Sequence, residues 1–394
     1  MSTIKVNSIK NTSTDDGGIA IDNSGHVQID GQQLPTAGPL SNRNLIINGA
    51  MNIAQRSTSS VTVSNGSNEG YSTVDRWFLN FNDGIGGAVS FTQSSDSPAG
   101  FANSAKITCS TIDNSFSSNQ YVALQQRIEA QDLQLLSYGS SDAVSMTLSW
   151  YMKTTTYTGP ISVALYTHDG TAEYFAVSVT PTTSWARYSV TIPGSTTATI
   201  NDDTGQGMYV QFVLAGNTSS SIASSSDSTA WSTTRADFRN NVGNILSSTS
   251  NAFLLTGVQL EVGEKATAYS HLSHGDELAK CRRYYFQSKQ LGNTYEGCYY
   301  AYGISTNRIG AQVRLPVEMR AQPSFVMIRP VDGVQDGAHR YLGVGGSSTT
   351  GDVSFSSVGF ADRGRLGFPY ITLNNNSIVV GAGYLFHIEA LAEL

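Results

Sequence analysis

The feature that most constrains this chain is a rhythm of short strands that runs from residue 44 to about residue 270. The segments AVSFT, AKITCS, AVSMTLSWYMK, ISVALYTH, EYFAVSVT, ARYSVTI and MYVQFVLAG follow one another, separated by turns rich in Gly, Ser and Asn. Alternate side chains of a strand point to opposite faces, so each segment offers an apolar face that must be covered. Many such strands at short spacing are covered when two sheets close on one another, as in a sandwich or jelly roll. The expected fold class is therefore all-β: an antiparallel, jelly-roll-like β-sandwich, then a short helix and a C-terminal β domain, preceded by a short N-terminal β segment. Residues 122–137 stay open, because Leu124, Ile128, Leu135 and Leu136 suit either a helix or two strands around a turn. The Ser/Thr/Asn tract at 217–250 reads as extended loop pinned by Trp231, Phe238 and Ile245.

The rhythm breaks at 254–286. Leu254, Val258, Leu260 and Val262 alternate with Gln259, Glu261 and Gly263, the pattern of a strand with one buried face. From Asp276 the residues are helix formers, Ser273 stands at capping-box distance, and acidic residues precede basic ones. A helix of about three turns is predicted. The resulting division is 1–40, an N-terminal attachment or oligomerisation segment; 41–272, the sandwich; 273–288, a connecting helix; and 289–394, a C-terminal β tip. Strands IKVNSI, GIAI and HVQI of the first segment, with turns at Asp15–Gly18 and Asn23–Gly25, bury too little to stand alone, so they should pair between chains or dock on a larger particle. Pro35, Gly38 and Pro39 suit a linker. The closing run YLFHIEALAEL is too apolar for a free tail and predicts a central or inter-subunit strand. Trimerisation there would cover its edges.

Composition narrows the function. Only 13% of residues are charged and the formal net charge is −7, with Lys and Arg scattered. Nothing supplies the basic footprint of a nucleic-acid or anionic-membrane partner. No stretch is apolar for the ~18 residues of a membrane helix, and the first ten residues lack a signal-peptide core, so no membrane insertion and synthesis in the host cytoplasm are expected. Cys109, Cys281 and Cys298 are too few for a disulfide framework and are read as free thiols. His271 and His274 lack a carboxylate at zinc-site spacing, so one is read as a helix cap and the other as solvated. Asp15 and Asp16, Asn201 to Asp203, and Asp332 with Asp336 offer oxygens to calcium, but turn chemistry explains each cluster equally and none matches an EF-hand loop. No metal and no cofactor is assigned. The nucleophile elbow, P-loop and dinucleotide fingerprints are missing, and the chain is read as a non-enzyme.

Aromatic residues are the functional lead, because sugar C–H faces pack on Trp and Tyr rings while amides and hydroxyls meet the hydroxyl groups. One candidate carbohydrate-binding cluster is Tyr166, His168, Asp169 and Tyr174 around a hairpin tip at Asp169 and Gly170, with Trp185 beside the next strand. The other is Tyr295, Tyr299, Tyr300 and Tyr302. Against both stands the reading that Trp77, Trp150, Trp185 and the tyrosine run are core or subunit contacts.

Four stretches, GVQLEVGEKATAYSHLSHGDELAKCRRYY, NLIINGAMNIAQRS, DRW at 75–77 and LPVEMRAQPSF, resemble phage tail-fibre and related virion proteins in which a carbohydrate-binding-module-like sandwich hands over to a C-terminal β domain. The opening 31 residues resemble those of cyanophage and marine-phage fibres. The resemblance implies a virion structural protein, a homotrimeric tail fibre or other external appendage. Its N-terminus would attach to other tail or head proteins, and its sandwich or tip would bind host surface glycan. An architectural head fibre, decoration or baseplate-associated protein is the alternative, with a polysaccharide-degrading enzyme behind it.

Overall fold

The computed structural model describes residues 8–10, 18–21, 27–29, 32–33, 42–117, 119–217, 226–235, 239–289, 297–330, 337–341, 350–354, 358–373 and 378–394. The turns at 15–17 and 23–25, the linker at 35–39, Phe238, Tyr295, Asp332 and Asp336 lie outside these residues. The protein is almost wholly β. At the N-terminus β1 (Ser8–Lys10), β2 (Gly18–Ile21), β3 (Val27–Ile29) and β4 (Gln32–Gln33) form an antiparallel meander.

The sandwich comprises β5 (Val61–Ser64), β6 (Phe78–Asn82), β7 (Ala88–Ser94), β8 (Ser104–Thr111), β9 (Tyr121–Glu129), β10 (Met146–Thr154), β11 (Ile161–Thr167), β12 (Tyr174–Val179), β13 (Ala186–Ile192), β14 (Gln206–Gly216) and β15 (Ala252–Val262). They divide into a six-stranded sheet, β13-β10-β15-β8-β7-β5, and a five-stranded sheet, β12-β11-β14-β9-β6. The core lies between them. Trp150 of β10 meets Phe212 of β14 edge-on at 5.5 Å, and Phe253 of β15 approaches Phe212 from the same side at 6.3 Å. The open question at 122–137 resolves into both readings: β9 ends at Glu129 and a 3-10 helix covers Ala130–Leu136, burying Leu133 and Leu136 while Leu135 stays exposed.

The strand β15 departs from expectation. Both of its faces are buried, and Thr256, Gln259 and Glu261 are almost inaccessible. Gln259 and Glu261 are satisfied by the loop that follows: Glu261 accepts from Thr267 N–H at 2.9 Å and Thr267 Oγ1 at 2.6 Å, and Gln259 Oε1 accepts from Ser270 N–H at 2.7 Å. Period-two polarity thus marks a strand roofed by its own hydrogen-bonding loop rather than by water. Opposite Ser149 and Tyr151 the ladder slips into a bulge at Gly257, whose φ of +61° favours glycine. Gly49 docks into that bulge, its carbonyl accepting from Val258 N–H at 3.0 Å; a Cβ at Gly49 would stand 2.1 Å from the Val258 oxygen.

Helix α1 (His274–Arg282) is capped by Ser273, which accepts from Asp276 N–H, so the capping residue is the predicted serine and neither histidine. His271 instead packs its ring on Tyr269 and Phe101, at 4.7 and 5.1 Å. Beyond α1 lie β16 (Tyr285–Gln287), β17 (Tyr299–Ser305), β18 (Arg308–Arg314), β19 (Ser324–Ile328), β20 (Gly337–Tyr341), β21 (Thr350–Ser354), β22 (Val358–Ala361), β23 (Gly367–Leu373) and β24 (Gly383–Leu391). The apolar closing run is the hub of this sheet: β24 pairs with β16, β17, β19 and β20.

The stretches that carry the family resemblance converge where sandwich and C-terminal sheet meet. Arg76 lies flat on Tyr284 and Arg56 on Tyr285, with guanidinium carbons 3.4 and 3.5 Å from the ring centres. Both arginines reach Glu393, while Arg283 grips Glu129 through two bonds of 2.8 Å. Arg320 donates to the carbonyls of Ala392 and Glu393, each at 2.9 Å.

Asp75, buried in this junction, is pushed up to about 6 by burial, against the pull of Arg56 and two hydrogen bonds from Gln55. The folded protein therefore keeps this proton where the unfolded chain has released it. Stability from Asp75 is fullest below about pH 4 and falls by about 3 kcal/mol as pH rises to about 6. Denaturation of wild type and Asp75→Asn across pH 4–7 checks this. Wild type should lose ground steadily to the variant, and a gap that does not change with pH would refute it.

Candidate functional site

The outer face of the five-stranded sheet carries a polar, aromatic cleft of about 400 Å³. Register builds it. Tyr174 on β12, Tyr166 on β11, Tyr209 on β14 and Arg127 on β9 stand in one row across four strands. In the next row Gln211 faces Gln125, whose Nε2 donates to Gln211 Oε1 at 3.0 Å. Asn80 of β6 and Tyr121 of β9 close one side, with Asn80 Nδ2 donating to the Tyr121 hydroxyl at 3.2 Å. The ring of Tyr166 lies 5.1 Å from Tyr174, 4.8 Å from Tyr209 and 5.9 Å from His168. Burial raises the Tyr166 and Tyr209 hydroxyls above their ordinary value, so both remain protonated donors at neutral pH.

The rest of this face is roofed by the Ser/Thr/Asn tract. Ser228 and Ser232 N–H donate to Ala176 and Tyr174 carbonyls along the β12 edge, and Asn240 N–H donates to Ser162 Oγ at 2.9 Å. Trp231 anchors the tract by meeting Tyr138 edge-on and donating Nε1–H to the Pro193 carbonyl at 2.7 Å. Ile245, also expected to pin it, is fully buried. Arg235 at the end of this stretch lines the cleft.

Of the first predicted cluster, the structure gathers Tyr166, His168 and Tyr174 into the cleft. Asp169 sits at the hairpin tip but turns away, its Oδ2 accepting from Asn201 N–H at 3.0 Å. Trp185 belongs elsewhere: it precedes β13 on the other sheet, donating to Asp96 Oδ1 at 3.0 Å beneath the Lys153 ammonium. Adjacency in sequence put it beside the wrong sheet. Tyr209, Tyr121, Gln125 and Arg127 were missed, because they join the cleft through strand pairing across 35 or more residues, which no local pattern encodes.

The second cluster splits by strand alternation. Tyr299 packs inward on Phe386, its hydroxyl donating to the Arg314 carbonyl at 3.1 Å, whereas Tyr300 and Tyr302 are 63% and 54% exposed on the opposite face beside Ile304. Tyr295 lies outside the described residues. Trp77 and Trp150 are fully buried core residues.

Other chemistry finds no footing among the described residues. No group of three His, Cys, Asp or Glu side chains is placed to hold a metal. Asp203 spends an oxygen on Gly205 N–H at 2.7 Å, the turn chemistry expected of it. Cys298 lies 3.4 Å from His387 Nε2, and Ser288 Oγ lies 3.1 Å from Nδ1, but burial pushes the thiol up to about 11, so it is no thiolate at neutral pH.

No protein-family model matches the chain, and no curated protein sequence matches it. Among solved structures it is similar to a CBM4 module at 16% identity, covering 55% of this chain and 98% of that one with a TM-score of 0.28. The family 11 carbohydrate-binding module of Clostridium thermocellum Lic26A-Cel5E matches at 13% identity, 53% and 98% coverage and a TM-score of 0.28. The enzymatically active domain of bacteriophage CBA120 tailspike protein 4 matches at 12% identity, 51% of this chain and 21% of that one, again at 0.28.

Proposed function

We propose that this chain is a non-enzymatic phage virion protein, a homotrimeric tail fibre or similar appendage, that binds host surface glycan in the cleft of the five-stranded sheet. One observation carries the reading: three tyrosine rings in a row, flanked by amides, in a groove open to solvent. Such rings offer apolar faces to a sugar while their hydroxyls and the neighbouring amides offer directional hydrogen bonds. Among the described residues lining the groove there is no Asp or Glu, so the carboxylate pair that glycoside cleavage uses has no counterpart there. The exposed face of Tyr300, Tyr302 and Ile304 fits a contact between copies in the trimer.

Tyr166→Ala should weaken binding to host-cell polysaccharide about tenfold or more, with far-UV circular dichroism unchanged, while Tyr300→Ala binds as wild type. Equal binding by Tyr166→Ala and wild type would remove the cleft from the reading. Light scattering tests the assembly: three times the 42.1 kDa chain mass is expected, and a monomer at micromolar concentration speaks for an architectural part that assembles only on the particle.

A further inference from the structure

We infer that the ligand of this cleft is an acidic glycan, one bearing carboxylate, sulfate or phosphate groups, rather than a neutral one; the inference rests on the glycan reading above. The chain as a whole is acidic, with 30 Asp and Glu against 23 Lys and Arg. The described lining of the cleft reverses that balance: Arg127, Arg235 and His168 are its ionisable groups besides the tyrosines. Arg235 is exposed and forms no ion pair among the described residues, and Arg127 has its Nε buried with no hydrogen-bond acceptor there.

Two described carboxylates beside the cleft are committed elsewhere. Asp169 serves Asn201, and Glu129, the register partner of Gln206, gives both oxygens to Arg283. Arg127 is anchored from behind, its Nη1 donating to the Leu394 carbonyl at 2.5 Å and its guanidinium lying over Phe78, 4.3 Å from the ring centre. A guanidinium fixed in this way, at the end of a row of tyrosine rings, meets a planar carboxylate or a sulfate with little further ordering. A neutral sugar would leave the arginines of the groove facing no carboxylate among its described lining.

The test is a glycan array carrying neutral, uronate-bearing, sialylated and sulfated oligosaccharides, probed with the full chain. Hits should be acidic glycans, lost when the uronate carboxyls are reduced to alcohols. Arg235→Gln should weaken them about fivefold to tenfold, and binding should fall steeply between 50 and 500 mM NaCl. Neutral hits that Tyr166→Ala abolishes and Arg235→Gln leaves unchanged would overturn the acidic class while keeping the glycan site. An empty array, or hits indifferent to Tyr166→Ala, would overturn both.

Discussion

Replacing Arg76 by Met should destabilise the folded protein by about 3 kcal/mol or more. The guanidinium is 1% exposed, and its φ of +70° places it in a left-handed turn between the buried Asp75 and Trp77. There Nη1 meets Glu393, Nη2 donates to the Arg127 carbonyl at 2.6 Å, and the flat of the group rests on Tyr284. Truncating one partner of a buried pair strands the other, which is costlier than the pair itself is stabilising. Arg56, 3.1 Å from Glu393, softens the loss and sets the estimate at the lower end. Lys at this position should not rescue, because a point charge cannot bond Glu393 and Arg127 while stacking on the ring. A denaturant double-mutant cycle with Glu393→Gln measures the coupling, expected above about 1 kcal/mol. Additivity within about 0.5 kcal/mol would show that the contact is incidental.

That junction and the cleft were unequally legible in the sequence. Arg56, Arg76, Arg283 to Tyr285 and Arg320 all lie in stretches that resemble fibre proteins. The structure gives those residues one shared task, fastening the sandwich to the C-terminal sheet. None of them lines the cleft. The resemblance therefore reports how the two parts are joined, while the residues of the cleft lie outside it. Strand periodicity made the sandwich readable, since each strand's alternation is local, and the helix cap at Ser273 was readable for the same reason. Sheet order is not local. Tyr166 and Tyr174 were found together because a hairpin joins them, whereas Tyr209 and Arg127 reach the same row only through the β11-β14-β9 pairing. Trp185 shows the converse error: close in sequence to Tyr174, it belongs to the opposite sheet.

Two strand-associated tryptophans, Trp77 and Trp185, alike in sequence, should separate sharply by energy. Trp77→Ala is expected to cost about 3–5 kcal/mol, the range for emptying a large aromatic site in a closed core. Its ring has no solvent exposure, lies 6.3 Å from Phe212 in the inter-sheet core, and donates Nε1–H to the Asn48 carbonyl at 3.1 Å. Asn48 in turn ties the Asn44 motif to the Asp75 turn, its Nδ2 reaching the carbonyls of Ile53 and Asp75 at 2.8 and 2.9 Å. A cavity beside Trp77 therefore loosens the ground on which Arg76 stands. Trp77→Phe keeps most of the volume and loses one hydrogen bond, so it should cost much less than the alanine change. Trp185→Ala, half-exposed on a sheet edge, should cost less than about 1 kcal/mol. Urea midpoints for the three variants decide the matter: equal costs for Trp77→Ala and Trp185→Ala would mean that the space between the two sheets is not where the sandwich derives its stability.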